Sequence, residues 1–329
     1  MPKPYSLSVV IPMHREEDNV VPMLKSVHEG LAPYPGPWEL IVVDDGSTDD
    51  TAPRLLAEAA KYGPHVRVLR LARNHGKTSA LQTGWDLARG EIIATLDGDL
   101  QNDPADIPRM VRELDARQLD MLTGKRAKRQ DAWLNRKLPS MIANWLIGYV
   151  TGIRITDYGC GLQVCRAHVL KRIRLYGEMH RFIPVWAAMQ IAPSRIAETP
   201  VKHYARQFGE SKFGISRTFR VILDLLTVFF FLRYKDRPGH FFGSIGLLLG
   251  FLGSTAMSYL LFIKIAFGES IGTRPLFLTA ILLLIFSMQF LTTGVLAEML
   301  SRVLYRGGDT LPMQLAEDNV VPSWHQRKP

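Results

Sequence analysis

The stretch that decides the fold is Glu91-Ile92-Ile93-Ala94-Thr95-Leu96-Asp97-Gly98-Asp99-Leu100-Gln101-Asn102-Asp103-Pro104. Its first half is a short aliphatic and β-branched run of the kind that makes a buried strand. Its second half changes abruptly to carboxylates, amides, a glycine and a proline, which are turn formers. A helical pattern starts near Pro104, so the stretch is one strand-to-helix unit. Similar units precede it. Ser6 to Pro12, Glu39 to Asp45 and His65 to Leu71 are Val-, Ile- and Leu-rich runs, with helical patterns starting near Glu16, Ser47 and Gly76. This β-α-β-α order predicts an α/β fold with a Rossmann-like, mostly parallel sheet covered on both faces. Ligands are expected where the strands end at their carboxyl edge. The polar segments Pro12 to Glu16, Asp44-Asp45-Gly46-Ser47 and Asp97 to Gln101 stand at those ends.

Asp97 and Asp99 lie two residues apart, so both carboxylates face one side if the backbone stays extended. Such a pair suits a hard divalent cation, Mg²⁺ or Mn²⁺, whose shell is completed by water and phosphate. A lone D-x-D is more often a solvated turn or cap; its place after the fourth strand, with Gln101 and Asp103-Pro104 behind it, favours a site. No G-x-G-x-x-G follows the first strand and no P-loop pattern occurs, so the usual dinucleotide and nucleotide signatures are absent. Cys160 and Cys165 have no second pair to complete a zinc site or a disulfide framework and read as reduced, structural thiols. His14, His75, His180 and His203 show no metal spacing and receive no role.

Of 329 residues, 47% are apolar, which excludes disorder, yet the long uncharged stretches are confined to the region after residue 237. Phe241 to Ile263 and Leu276 to Ala297 carry no charge, and each is long enough to cross a hydrocarbon core of about 30 Å. The short connection Lys264 to Pro275 makes them a hairpin. Arg233, Lys235 and Arg237 before it and Arg302 and Arg306 after it, against Lys264 and Arg274 in the loop, favour both ends inside. The alternative is a buried helical hairpin of a soluble protein. Ile215 to Tyr234 alternates Ser216, Arg217, Arg220, Asp224 and Thr227 with Phe219, Ile222, Leu223, Leu226, Phe229 and Phe230, an amphipathic helix suited to the headgroup layer. No secretory signal is read before Ser6, so the N-terminal domain is expected in the cytoplasm. The expected organisation is a domain over 1–214, an interfacial helix over 215–235, two transmembrane helices within 236–300 and a cytoplasmic tail over 301–329. The formal net charge of +9 also raises a basic nucleic-acid binder, but the cations lie beside the membrane segments and no recognition motif is present, so no nucleic acid is expected.

Taken together, Val9-Val10-Ile11-Pro12, Val43-Asp44-Asp45-Gly46-Ser47-x-Asp49, Arg73-Asn74-x-Gly76-Lys77, the D-x-D-L-Q-x-D-P of Asp97 to Pro104, Asp157-Tyr158-Gly159-Cys160 and Arg206-x-Phe208-Gly209-x-Ser211-Lys212 resemble family 2 glycosyltransferases with the GT-A fold. Within them the chain looks most like the polyprenyl-phosphate glycosyltransferases. These include dolichyl-phosphate mannose synthases, bactoprenol glucosyltransferases and undecaprenyl-phosphate aminoarabinose transferases. Arg181-Phe182-Ile183-Pro184 and the two-helix tail resemble the bacterial undecaprenyl-phosphate branch. The family reads Pro-x-x-Asn-Glu after its first strand, whereas here Arg15 precedes Glu16. The Q-x-x-R-W of processive polysaccharide synthases is absent, which argues against polymerisation.

The resemblance implies a metal held by Asp99 with Asp97 and Gln101, a nucleoside pocket lined by Pro12, Glu16 and Asp45, and Asp44 and Lys77 near the ribose or diphosphate. It places Asp157 by the transferred sugar as an orienting group or a base. The acceptor, a lipid phosphate, needs cations near the membrane. Lys125, Arg126, Arg136, Arg206 and Lys212 are the candidates, with Ser211 in the Arg206 motif. The expected reaction is metal-dependent, inverting transfer of one sugar from a nucleotide sugar to undecaprenyl phosphate at the cytoplasmic face of the inner membrane. The donor is a UDP-sugar such as UDP-glucose or a UDP-aminoarabinose derivative. The alternatives are a dolichyl-phosphate mannose synthase using GDP-mannose and a non-catalytic nucleotide-binding membrane scaffold; the intact D-x-D-L-Q speaks against the scaffold. Whether the chain forms a homo-oligomer is left open.

Overall fold

A computed structural model describes residues 5–126, 148, 152–153, 155–175, 177–205, 229–230, 233–234 and 237–306. The chain divides into two compact units, Met1–Phe229 and Phe230–Pro329.

In the first unit β1 (Tyr5–Met13), β2 (Trp38–Asp44), β3 (Val66–Arg70) and β4 (Gly90–Thr95) alternate with α1 (Val20–Leu31), α2 (Thr51–Ala59) and α3 (Lys77–Leu87). A 3-10 turn, Pro104–Asp106, leads into α4 (Ile107–Ala116), and β5 (Met121–Arg126), β6 (Gln163–Arg166), α5 (Ala167–Leu170), α6 (Ile183–Ala188) and β7 (Ile196–Val201) complete it. The sheet order is β3-β2-β1-β4-β6-β5-β7. β1 pairs in parallel with β2 and β4, β2 with β3, and β5 with β7, while β6 is antiparallel to both its neighbours. Six strands therefore run one way. Their carboxyl ends and the amino end of β6 share one edge.

The four expected strands are present. Their apolar runs are buried on both faces, as parallel strands under helices must be: Val9, Val10, Ile11, Leu40, Ile41, Val42, Ile93 and Ala94 are inaccessible. α1 buries Val20, Met23, Leu24, Val27 and Leu31, a stripe at helical spacing. Helix starts near Gly76 and Pro104 agree with the pattern. Those read near Glu16 and Ser47 fall later, at Val20 and Thr51, because the intervening polar residues tie the loops together. Arg15 N donates to Ser47 Oγ (2.9 Å) and Glu16 N to Thr51 Oγ1 (2.9 Å).

The second unit contains α7 (Pro238–Phe267) and α8 (Pro275–Arg306), both long and apolar enough to cross a membrane and, within their spans, only 17% and 11% buried. The buried-hairpin alternative fails on this point, because a soluble core helix hides its apolar side chains whereas Phe251, Phe262, Ile265 and Met288 are exposed. The helices meet through small residues: Ser287 Oγ donates to Gly246 O (2.7 Å), and a Cβ on Gly253 would lie 3.0 Å from Leu284. Of the expected interfacial helix only residues 229–230 and 233–234 are described, all helical; the remainder lies outside the described residues.

Candidate active site

The carboxyl edge of the sheet gathers the polar segments, and two glycines show how tightly. A Cβ on Gly46 would stand 2.3 Å from Arg73 C, so the Asp44-Asp45-Gly46-Ser47 turn and the Arg73-Asn74-x-Gly76-Lys77 turn pack backbone to backbone. Gly46 also has φ +62, where a side chain is strained. A Cβ on Gly161 would stand 2.4 Å from the Asp97 carboxylate, so the loop entering β6 closes directly over that group.

At the β1, β2 and β3 ends lies a cavity of about 450 Å³ lined by His14, Arg15, Gly46, Ser47, Thr48, Arg70, Ala72, Arg73 and Asn74. Its cations, Arg15, Arg70 and Arg73, were not assigned from sequence; the signal was the arginine pair closing β3, which reads equally well as a solvated strand end. Asp44 and Asp45 lie beneath it, both buried. Asp44 accepts from Ser47 N (3.2 Å) and pairs with Arg70 Nε (3.5 Å). Asp45 accepts from His75 N and Gly76 N, each at 2.8 Å, and so fixes the turn at the head of α3. Pro12 is buried in β1. Glu16 accepts from the Asn19 side chain, at the start of α1. Arg15 adopts φ 55. This left-handed region suits Asn far better than Arg, which explains the family's Asn at this position as a backbone requirement.

Lys77, first residue of α3, places Nζ 2.5 Å from Asp97 Oδ1. Helix N-termini favour anions, so lysine and backbone N–H groups here present a positive corner. Next to it, Thr78 Oγ1 donates to Gly177 O (2.6 Å) and accepts from His180 Nδ1 (2.8 Å), which leaves Nε2 as the unprotonated ring nitrogen. Burial, and then the neighbouring Lys77, push the His180 pKa down to about 4, so the ring is neutral.

β4 stops at Thr95, and Gly98 and Asp99 form a turn, so the extended backbone assumed for the Asp97/Asp99 pair is not present. Asp99 accepts instead from Gln101 N (3.2 Å) within its own turn, and Leu100 takes φ 60. Among the described residues no group of three or more His, Cys, Asp or Glu is placed to hold a metal alone. The donor set offered is two hard carboxylates, which fits Mg²⁺ or Mn²⁺ provided phosphate oxygens and water complete the shell.

On the far side, Arg126 grips Asp157 with a fork, Nε and Nη2 each donating at 2.8 Å, and Arg126 N adds a third bond at 3.2 Å. Lys125 donates to Glu198 Oε1 (3.1 Å). Of the five cations expected at the acceptor phosphate, the two among the described residues, Lys125 and Arg126, each pair with a carboxylate. Cys160 donates to Asn102 Oδ1 (3.7 Å), and burial pushes its thiol up to about 12; with Cys165 it is a buried, free cysteine. Arg136, Arg206, Ser211 and Lys212 lie outside the described residues.

A mostly parallel sheet with one antiparallel strand, its polar turns gathered at the carboxyl edge, is a GT-A-type fold. Residues 8–174 match the family described as Glycosyl transferase family 2. The chain belongs to that family and is a glycosyltransferase. It is 53% identical to dodecaprenyl-phosphate galacturonate synthase of Rhizobium johnstonii over 300 residues, 91% of this chain and 89% of that protein. Undecaprenyl-phosphate 4-deoxy-4-formamido-L-arabinose transferase of Klebsiella pneumoniae is 36% identical, over 90% and 88% of the two chains. Among solved structures, glucosyl-3-phosphoglycerate synthase from Mycobacterium tuberculosis with Mn²⁺, UDP and glucosyl-3-phosphoglycerate aligns with a TM-score of 0.54 at 20% identity, covering 68% of this chain and 80% of that one, a likeness of fold.

Proposed function

We propose that the protein transfers one sugar from a UDP-sugar to a polyprenyl phosphate at the cytoplasmic face of the inner membrane, and that the sugar is a uronic acid. The observation that carries the reading is that a glycosyltransferase edge and two exposed apolar helices occupy one chain. Similarity to enzymes named for polyprenyl-phosphate products extends over about nine-tenths of it. The 53% identity to a galacturonate synthase supports the acidic sugar over the glucose or aminoarabinose derivative expected from sequence.

In this reading the nucleoside occupies the cavity over Gly46 to Thr48, beside Arg15, Arg70 and Arg73. The diphosphate lies against the head of α3 and Lys77. Asp97 and Asp99, with Gln101 beside them, would hold Mg²⁺ or Mn²⁺, which would supply charge neutralisation for the diphosphate leaving group. A phosphate oxygen of the lipid attacks the anomeric carbon, the bond from that carbon to the diphosphate oxygen breaks, and UDP leaves, with inversion. The attacking phosphate is already an anion, so a general base contributes little. Asp157, fixed by the Arg126 fork, is suited to orienting a sugar hydroxyl. Arg206, Ser211, Lys212 and Arg136 receive the lipid phosphate.

The test is an assay of the purified protein with radiolabelled UDP-galacturonic acid, UDP-glucose and GDP-mannose, each with Mn²⁺ and a polyprenyl phosphate, followed by extraction of the lipid fraction. Label in the lipid from the uronic acid alone is expected. Label from GDP-mannose alone would replace the reading with a mannose synthase.

A further inference from the structure

Leu100 lies inside the Asp99-Leu100-Gln101 turn with a left-handed backbone, φ 60. A leucine does not hold that conformation by itself, so surrounding bonds must impose it. The structure shows where they come from. The chain leaving β7 runs alongside the turn: Asn102 and His203 form a β-bridge, and Tyr204 N donates to Gln101 O at 2.8 Å. Side chains then lock the pair. Asp103 Oδ2 accepts from Tyr204 Oη (3.0 Å) and from Lys202 Nζ (3.3 Å), while its other oxygen accepts from Ala105 N (2.9 Å). Lys202 N donates to Asp106 Oδ2 at 2.8 Å.

We propose that Asp103, with Tyr204, is a positioning residue: it straps the segment after β7 onto the Asp99-Leu100-Gln101 turn and holds Leu100 left-handed, so that Asp99 stays aimed at the metal. This rests on the metal role proposed above for Asp99. Sequence spacing assigns Asp103 no such part, since an aspartate before a proline reads as a helix cap, and it does cap Ala105. The second oxygen carries the strap. Without it Leu100 relaxes to negative φ and Asp99 rotates with it, although the strand and α4 remain in place.

Three full-length variants test this: Asp103→Asn, which keeps an oxygen for Ala105 but loses the lysine pairing, Tyr204→Phe, and Asp103→Asn combined with Leu100→Asn, because asparagine tolerates left-handed backbone. Two readouts are taken. Hydrogen exchange in a peptide spanning residues 98–104, measured without metal or nucleotide, is expected to rise at least tenfold in both single variants while the melting temperature stays near wild type. Mn²⁺ affinity in the presence of UDP, followed by paramagnetic resonance, is expected to weaken at least tenfold in both and to recover at least threefold when Leu100→Asn is added. Unchanged exchange and affinity in both single variants would overturn the proposal, as would failure of Leu100→Asn to restore Mn²⁺ binding. If the wild-type protein itself shows no Mn²⁺ binding with UDP while the variants gain exchange, the strap stands and the metal reading falls.

Discussion

Replacing Gly161 by alanine puts a single methyl against the group that the proposed chemistry depends on. The added carbon would lie 2.4 Å from Asp97 Cγ and Oδ2 and 2.7 Å from Oδ1, whereas ordinary contact begins at 3.4 Å. The carboxylate must therefore withdraw by about 1 Å, since the dense surroundings leave the backbone less room to give. Asp97 has one short side chain and moves mainly by turning about χ1, which takes it off Lys77 Nζ, now 2.5 Å away. A displacement of about 1 Å at a positioned group costs on the order of a hundredfold in rate, or about 2.7 kcal/mol of barrier. The assay is transfer of labelled sugar to lipid at saturating substrates, with a thermal melt on the same preparation to establish that the sheet survives. The expected result is a roughly hundredfold lower turnover with near-normal melting. Activity above a third of wild type in a folded variant would show that Asp97 does not need its present position.

Asp99→Asn keeps the shape of the side chain and removes a ligand charge, so turnover is expected to fall at least about a thousandfold, roughly 4 kcal/mol; EDTA should stop the wild-type protein, and Mn²⁺ or Mg²⁺ should restore it. Arg15→Asn relieves the left-handed backbone at φ 55 and is expected to stabilise the first unit by about 1 kcal/mol, raising its melting temperature by about 2–4 °C in a thermal scan. His180, with its pKa lowered to about 4, binds its proton more weakly folded than unfolded. The unfolded chain therefore takes up more protons between pH 6.5 and 4, and stability is complete above that window and lost as pH falls through it. In denaturant titrations His180→Gln should remove about 2 kcal/mol of the stability that the wild type loses between pH 7 and pH 5; an unchanged slope would contradict the buried, neutral ring.

The strands, the polar turns that close them and the two apolar helices were legible in the sequence, because each is written in a local period: β-branched runs, turn formers, or long stretches without charge. Arg15 was legible as an oddity, and only its φ showed that the family's asparagine serves the backbone. What pattern reading did not provide was partnership. β6 lies between β4 and β5 and runs against both, a short strand whose place depends on pairing rather than on its own residues. Arg126 and Lys125 were legible as cations suited to a phosphate, while their pairing with Asp157 and Glu198 was not. Asp44 and Asp45 were legible as candidates at strand ends, while the bonds by which they also brace the turns around the cavity were not. Residues with the chemistry of a site are identifiable by type and by their position at strand ends, since one strand fixes which side chains it carries to its carboxyl edge. Which carboxylate meets which cation depends on contacts between segments distant in the chain, such as Gly161 over Asp97 and Tyr204 on Asp103, and these exist only once the sheet has brought its edges together.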